Sequence, residues 1–254
     1  MTTDSPVNAF TLSEFLAERA RDPEKVPKRV RTRRRILAAT AAEMERVGYD
    51  ALTVDGIVAA AGMARGTFYI YYDNRAEAAV AVLRRYAALQ RRLRPYGSRA
   101  LPPFQAIYRY TLFHVTVYAR NAAVLAGREA LMREAPEIAV RRDRVNERWC
   151  RIVLRDLCTR LDFPAATRED PIAMLLVRAV IAMADELLRE IYIYKSQSLN
   201  QIAGDERQVT EVISFVWYRA IYGESPPLES LDRVRDLAAM YLERTRARMA
   251  VGMG

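Results

Sequence analysis

Apolar residues along this chain recur at three- and four-residue intervals, and strict alternation is rare. That is the period of helices buried along one side. Segment 36–47 carries Ile36, Leu37, Thr40, Met44 and Val47 at this spacing, with Gly48 placed as a helix stop. Val54, Ile57, Val58 and Ala61 form a shorter stripe, opened by Thr53 in an N-cap position and broken by Gly62. A second short helix is predicted over 64–71, with Phe68 and Tyr72 four apart on one face. A third begins at Asp73 or Asn74 and runs towards Arg94, where Pro95, Gly97, Pro102 and Pro103 mark a domain boundary.

Beyond it the pattern predicts helices over 104–118, 122–134 and 136–161, the last with Pro136 in its first turn. Asp170 and Pro171 read as cap and first-turn residue of a helix ending near Tyr194. Asp205, with Gln208 three residues on, opens a helix that stops at Gly223, and a last helix is expected over 228–249. Ahead of all this, residues 1–28 read as an extension. Thr11 and Glu14 suggest a capping box for a short helix carrying Leu12, Phe15 and Leu16, and Pro23 and Pro27 end it. Three fates are open for this extension: folded on the body, on DNA, or mobile. No strand or repeat is visible. The expected fold is all-α.

Charge changes the picture. The 254 residues carry a formal net charge of +9, which suits an acidic partner such as nucleic acid. The densest basic run is Lys25, Lys28, Arg29, Arg31, Arg33, Arg34 and Arg35, leading into the first long helix. Two readings stand for it, a phosphate- or groove-contacting arm and a solvated face. Cys150 and Cys158 lie eight apart on one predicted helix and cannot meet, so a reducing, cytoplasmic setting is expected. No apolar leader segment is apparent. The most apolar stretch, 171–184, is interrupted by Arg178 and followed by Asp185 and Glu186, too short and too charged to span a bilayer. With one histidine, no paired metal-ligand spacing, no phosphate-binding glycine loop and no nucleophile elbow, catalysis has little to build on. The expectation is a non-enzyme with no catalytic residue, metal or cofactor.

Two short helices joined by a glycine-containing turn are the helix-turn-helix pattern, in which the second helix presents side chains to base edges in the major groove. Arg65 and Tyr69 lie one turn apart, facing away from Phe68. The run Thr53-Val54-Asp55-Gly56-Ile57-Val58-Ala59-Ala60-Ala61-Gly62-Met63-Ala64-Arg65-Gly66-Thr67-Phe68-Tyr69, followed by Tyr71, Tyr72 and Arg75, resembles the signature of the tetracycline-repressor (TetR) family of transcriptional regulators. That signature has Thr opening the first helix, Ala-Gly at the turn, then Gly-Thr-x-Tyr, an aromatic pair and a basic residue.

The resemblance covers about 45 residues and implies roles for Thr53 at a phosphate, Arg65 and Gly66 at the groove-facing start of the recognition helix, and Thr67 and Tyr69 at phosphate or a thymine methyl. It further implies Tyr71 at a phosphate and Arg75 as the interface's basic residue, in place of the usual Lys; Arg33 and Arg34, in the run abutting the motif, are candidates for a basic arm. Tyr72 reads better as core. Two departures stand out: Ala64 replaces the usual Ser or Thr cap, and Gly56 sits inside the first helix, where it is a poor helix former.

The domain plan implied is 1–28 as extension, 29–78 as the DNA-binding domain with its last helix continuing to about 94, and 100–250 as a helical dimerisation and effector domain. Helix 170–194 is apolar on two sides: Ile172, Leu175, Leu176, Ala179, Val180, Met183, Leu187 and Ile191 on one, Met174, Val177, Ile181 and Leu188 on the other. Helix 205–222 behaves likewise. By resemblance, Leu176, Val180, Met183, Leu187, Val212, Ile213, Val216, Trp217 and Ala220 are candidates for a four-helix interface with a second copy, and a twofold dimer reads a palindrome. Tyr110, Phe113, His114, Tyr118 and Trp149 are candidate lining residues for a small, largely apolar effector, with plain core filling as the competing role for each. The function expected is a homodimeric repressor whose partners are double-stranded DNA, itself and an effector, with no membrane. The alternative is a helical interaction protein of the same fold with weak or non-specific DNA binding.

Overall fold

The computed structural model describes residues 9–22, 26–95 and 100–251, and the start of the extension and its Pro23 lie outside them. Twelve α-helices occur among the described residues, with no strand: α1 Leu12–Arg21, α2 Lys28–Val47, α3 Val54–Ala61, α4 Arg65–Tyr69, α5 Arg75–Leu93, α6 Pro103–Arg120, α7 Ala122–Glu134, α8 Glu137–Arg160, α9 Pro171–Tyr192, α10 Gln197–Ile202, α11 Glu206–Tyr222 and α12 Arg235–Val251. Short 3-10 turns occupy Ala165–Glu169 and Leu228–Ser230.

The caps read from sequence act where expected. Thr53 accepts a hydrogen bond from Gly56 N at 3.0 Å. The Asp170 carboxylate accepts from Ile172 and Ala173 N with Pro171 in the first turn, and Asp205 accepts from Gln208 N. Gly48, Gly62 and Gly223 end α2, α3 and α11 at positive φ. Thr11 does sit at the N-cap of α1, but its side chain makes no capping bond, so no capping box forms there.

The chain divides into two compact units, one of residues 9–93 and 117–149, the other of residues 94–116 and 150 onwards. Residues 117–149 were expected in the C-terminal domain, yet they pack with the N-terminal helices. Two contacts inside the first unit explain this. Gly127 of α7 lets the helix backbone meet Tyr49; a Cβ there would stand 2.5 Å from the Tyr49 Cβ. Asn121, fully buried, donates to the carbonyls of Phe10 and Val117 and accepts from Leu12 N at 2.7 Å. A buried amide with its bonding capacity this well used is costly to disturb. It decides the fate of the extension's described part: Phe10, Leu12 and Leu16 are buried, Phe10 lies against Tyr86, and α1 packs on α2.

In the second unit the last helix begins at Arg235 rather than Leu228. The buried Glu211 carboxylate of α11 accepts from the amides of Asp232, Arg233 and Val234. Those amides turn to a side chain 21 to 23 residues away in sequence, and Leu231 and Val234 are drawn into the core with Phe104, Phe215 and Tyr218. A second core cluster joins Cys150, Leu154, Leu157 and Val177, with Trp217 and Ile221 against it. Cys150 and Cys158 are both buried free thiols.

Candidate nucleic-acid interface

A five-residue helix has almost no stability of its own, since nucleation costs more than so few hydrogen bonds return. α4 is therefore held from outside. Phe68 is 0% exposed and packs against Tyr72, also buried, with ring centroids 5.9 Å apart. Ala64 supplies no side-chain cap, as its residue type dictates, and only its carbonyl takes part, accepting from Thr67 N.

The turn before α4 is clamped. Gly62 has φ +60, a left-handed conformation that glycine tolerates best, and the Met63 amide donates to the Val58 carbonyl. The Arg35 guanidinium donates to the carbonyls of Ala61 and Gly62, satisfying the end of α3. The α2–α3 loop is clamped too: Arg75 Nη1 donates to the carbonyls of Tyr49, Asp50 and Leu52, and Nη2 lies 3.6 Å from Glu134. Gly56, a poor helix former by propensity, has a packing reason. A Cβ there would come within 3.0 Å of Glu43 Oε2. That buried carboxylate is fixed by two hydrogen bonds from Arg46, which hold it below the usual carboxylate range.

What this scaffold leaves outside is the surface one expects of a groove reader. Arg65, Gly66, Tyr69 and Ile70 are exposed, and Thr67 and Tyr71 are half-buried. Arg65 is not loose: its Nη1 bonds both Asp55 carboxylate oxygens at 3.0 and 3.1 Å, and its Nη2 donates to the Tyr69 hydroxyl at 3.2 Å. Gly66 has open space where a Cβ would stand. In the basic run, Arg33 is exposed, donates to the Tyr72 hydroxyl and lies over that ring, while Arg34 is half-buried and reaches the carbonyl of Arg19. Thr53, Arg65, Gly66, Thr67, Tyr69 and Tyr71 thus lie within one helix-turn-helix, whereas the Arg75 guanidinium holds the loop that positions it.

Sequence reasoning missed three residues here. Arg35 is indistinguishable from its basic neighbours until the fold brings it to the α3 terminus. Asp55 pairs across the turn, a spacing no helical period reveals. Ile70, 69% exposed just past α4, was readable as an apolar residue between two tyrosines and outside the Phe68–Tyr72 core face.

In the second unit, α9 and α11 each leave an apolar row outside: Ile172, Leu175, Leu176, Ala179 and Met183 on one, Val212, Val216 and Ala220 on the other. Leu187 and Trp217 are half-buried. Val180 and Ile213, expected with these rows, are instead buried, at 7% and 2% exposure. Their side chains are packed within this unit. The stripe of α9 divides accordingly, with Val180 and Ile191 buried alongside Val177, Ala184 and Leu188.

The five expected pocket residues do not share a unit. Tyr110, Phe113 and His114 belong to the second, Tyr118 and Trp149 to the first. Phe113 and Tyr118 are buried, and Tyr110, His114 and Trp149 half-buried. His114 Nε2 lies 3.1 Å from Asp185 Oδ1 and its ring stacks on Tyr110. Nearby in the same unit Thr116 donates to Glu206, and burial, then Glu206 and Asp205, push the Tyr192 phenol up to about 12. Among the described residues no cluster of His, Cys, Asp or Glu is arranged to hold a metal. No described helix is long and apolar enough to cross a membrane.

Two short helices, a left-handed glycine turn and an exposed face on the second helix form a helix-turn-helix, the arrangement by which DNA-binding regulators of that class present a helix to the major groove. Residues 36–82 match the family model described as bacterial regulatory proteins, tetR family, so this segment is similar to the N-terminal DNA-binding domain of that family. No curated protein matches the chain.

Proposed function

We propose that the protein is a homodimeric, cytoplasmic repressor that binds a palindromic operator and is released by a small, largely apolar effector. The observation that carries the reading is α4 with its C-cap: one buried anchor, Phe68, with Arg65, Gly66, Tyr69 and the capping Ile70 exposed. In this reading α4 enters the major groove, Arg65 pairs with guanine, Thr67 and Tyr69 meet phosphate or a thymine methyl, and the Thr53 hydroxyl and Tyr71 meet phosphates. Arg33 and Arg34 supply sequence-independent attraction, and Arg75 sets the loop.

Dimerisation is supported by the apolar rows of α9 and α11. Leucines and isoleucines grouped in this way on a surface mark an association site. Effector binding is assigned to the helical region containing Tyr110, Phe113 and His114, where aromatic rings and a His–Asp pair offer apolar walls with a few polar anchors. The sign of regulation follows the family.

Selection of bound fragments from genomic DNA with purified protein, at two salt concentrations, tests this. A palindromic site that survives the higher salt supports a sequence-specific dimer. Binding without sequence preference, lost steeply with salt, contradicts it and leaves a helical interaction protein with a basic arm.

A further inference from the structure

Arg65 meets an acidic partner before it meets DNA. Asp55, in the first turn of α3, takes Nη1 with both carboxylate oxygens, and the Tyr69 hydroxyl takes Nη2. Nε carries no bond among the described residues, so a fork of five N–H donors keeps some for a base edge. The pair is well exposed, with side chains 58% and 70% accessible. An exposed ion pair of this kind contributes little to folding, about 0–1 kcal/mol. A carboxylate on a DNA-facing surface also repels phosphate. A residue that adds little to stability and opposes the attraction of DNA calls for a different explanation.

We infer that Asp55 is a specificity-determining positioning residue of the DNA interface, acting through Arg65. The inference rests on α4 being the recognition helix. Guanine O6 and N7 are neutral acceptors, whereas a phosphate carries a full negative charge. Next to Asp55, the Arg65 guanidinium is locally neutralised and a phosphate approaching it meets the carboxylate. A guanine edge meets no such penalty and finds the fork already oriented by two partners. Asp55 therefore weakens non-specific backbone binding while leaving base readout intact, and the ratio of specific to non-specific affinity rises.

The test uses the full-length protein, a site recovered from a randomised duplex library, and a scrambled duplex of the same composition. Asp55→Asn keeps the shape and removes the charge. The expected result is several-fold tighter binding to the scrambled duplex, a salt dependence on it steeper by about one charge, and a specificity ratio lowered by a similar factor. In an Arg65→Ala background the same substitution should leave the ratio unchanged, because a bulk charge effect strengthens both duplexes alike. Thermal unfolding of Asp55→Asn should match the parent, which separates this role from a structural one. A ratio left unchanged by Asp55→Asn in the otherwise parent protein, with Arg65 in place, overturns the inference and leaves the function reading standing. Equal lowering of the ratio with and without Arg65 also overturns it. If the parent protein recovers no site, the function reading fails and takes this inference with it.

Discussion

α4 and α9 both present side chains outward, but they are made in opposite ways. α4 has five residues and depends on others for its shape: Gly62 at the turn, Arg35 on the α3 carbonyls, Arg75 on the α2–α3 loop, Phe68 in the core. α9 has 22 residues, an Asp170–Pro171 cap and a buried row of its own. A long helix holds its geometry by length and packing, so its outer face is constrained only in composition. A short one needs particular residues at fixed places around it. That is why the helix-turn-helix carries a recognisable signature and the α9–α11 face carries only an apolar stripe.

Phe68→Ala should produce the largest effect. It removes the single buried anchor of α4 and should cost about 3–5 kcal/mol in denaturant unfolding, with DNA binding lost. An unfolding midpoint like the parent's would mean α4 is held chiefly by its clamps. Asn121→Leu comes next. It orphans Leu12 N and the carbonyls of Phe10 and Val117, for about 1–3 kcal/mol, and should expose α1 to proteolysis.

Leu176→Glu sharpens the other side of the comparison. On an exposed α9 row it should change protomer stability by under about 0.5 kcal/mol yet shift sedimentation towards monomer. Val180→Glu, four residues on and buried, should instead unfold the protein. If Leu176→Glu leaves the oligomeric state unchanged, the α9 row is not the dimer face. The smallest effect concerns pH. The Tyr192 phenol sits at about 12 in the fold against an ordinary value of 10.0, its ionisation opposed first by burial. The neutral phenol's contribution is complete below pH 10 and is lost as pH rises towards 12, because the unfolded chain ionises first. Tyr192→Phe should flatten that alkaline decline in thermal melts.

The parts legible in the sequence are those whose causes act within four residues. Thr53, Gly62, Asp170–Pro171, Asp205–Gln208 and Gly223 all cap their own helices. The parts that escaped join residues distant in the chain. Glu211 reaches the amides at 232–234 and delays the last helix; Gly127 fits Tyr49 and draws α7 to the first unit; Asp55 finds Arg65 across the turn. α10 and the 3-10 turns, 3 to 6 residues long, are too short for a hydrophobic period to register. The two-sided stripe of α9 was visible, but which side faces outward depends on where α8 and α11 pack, and Val180 and Ile213 fell on the inner side.

The central claim is that the outward face of α4 reads bases while the basic arm supplies general attraction. Equilibrium affinities of the parent, Arg65→Ala and Arg33→Ala for a selected site and its scrambled counterpart test it most directly. Arg65→Ala should weaken the selected site alone, by about 1–3 kcal/mol, and Arg33→Ala should weaken both duplexes about equally. Equal losses on both duplexes for Arg65→Ala would contradict the account.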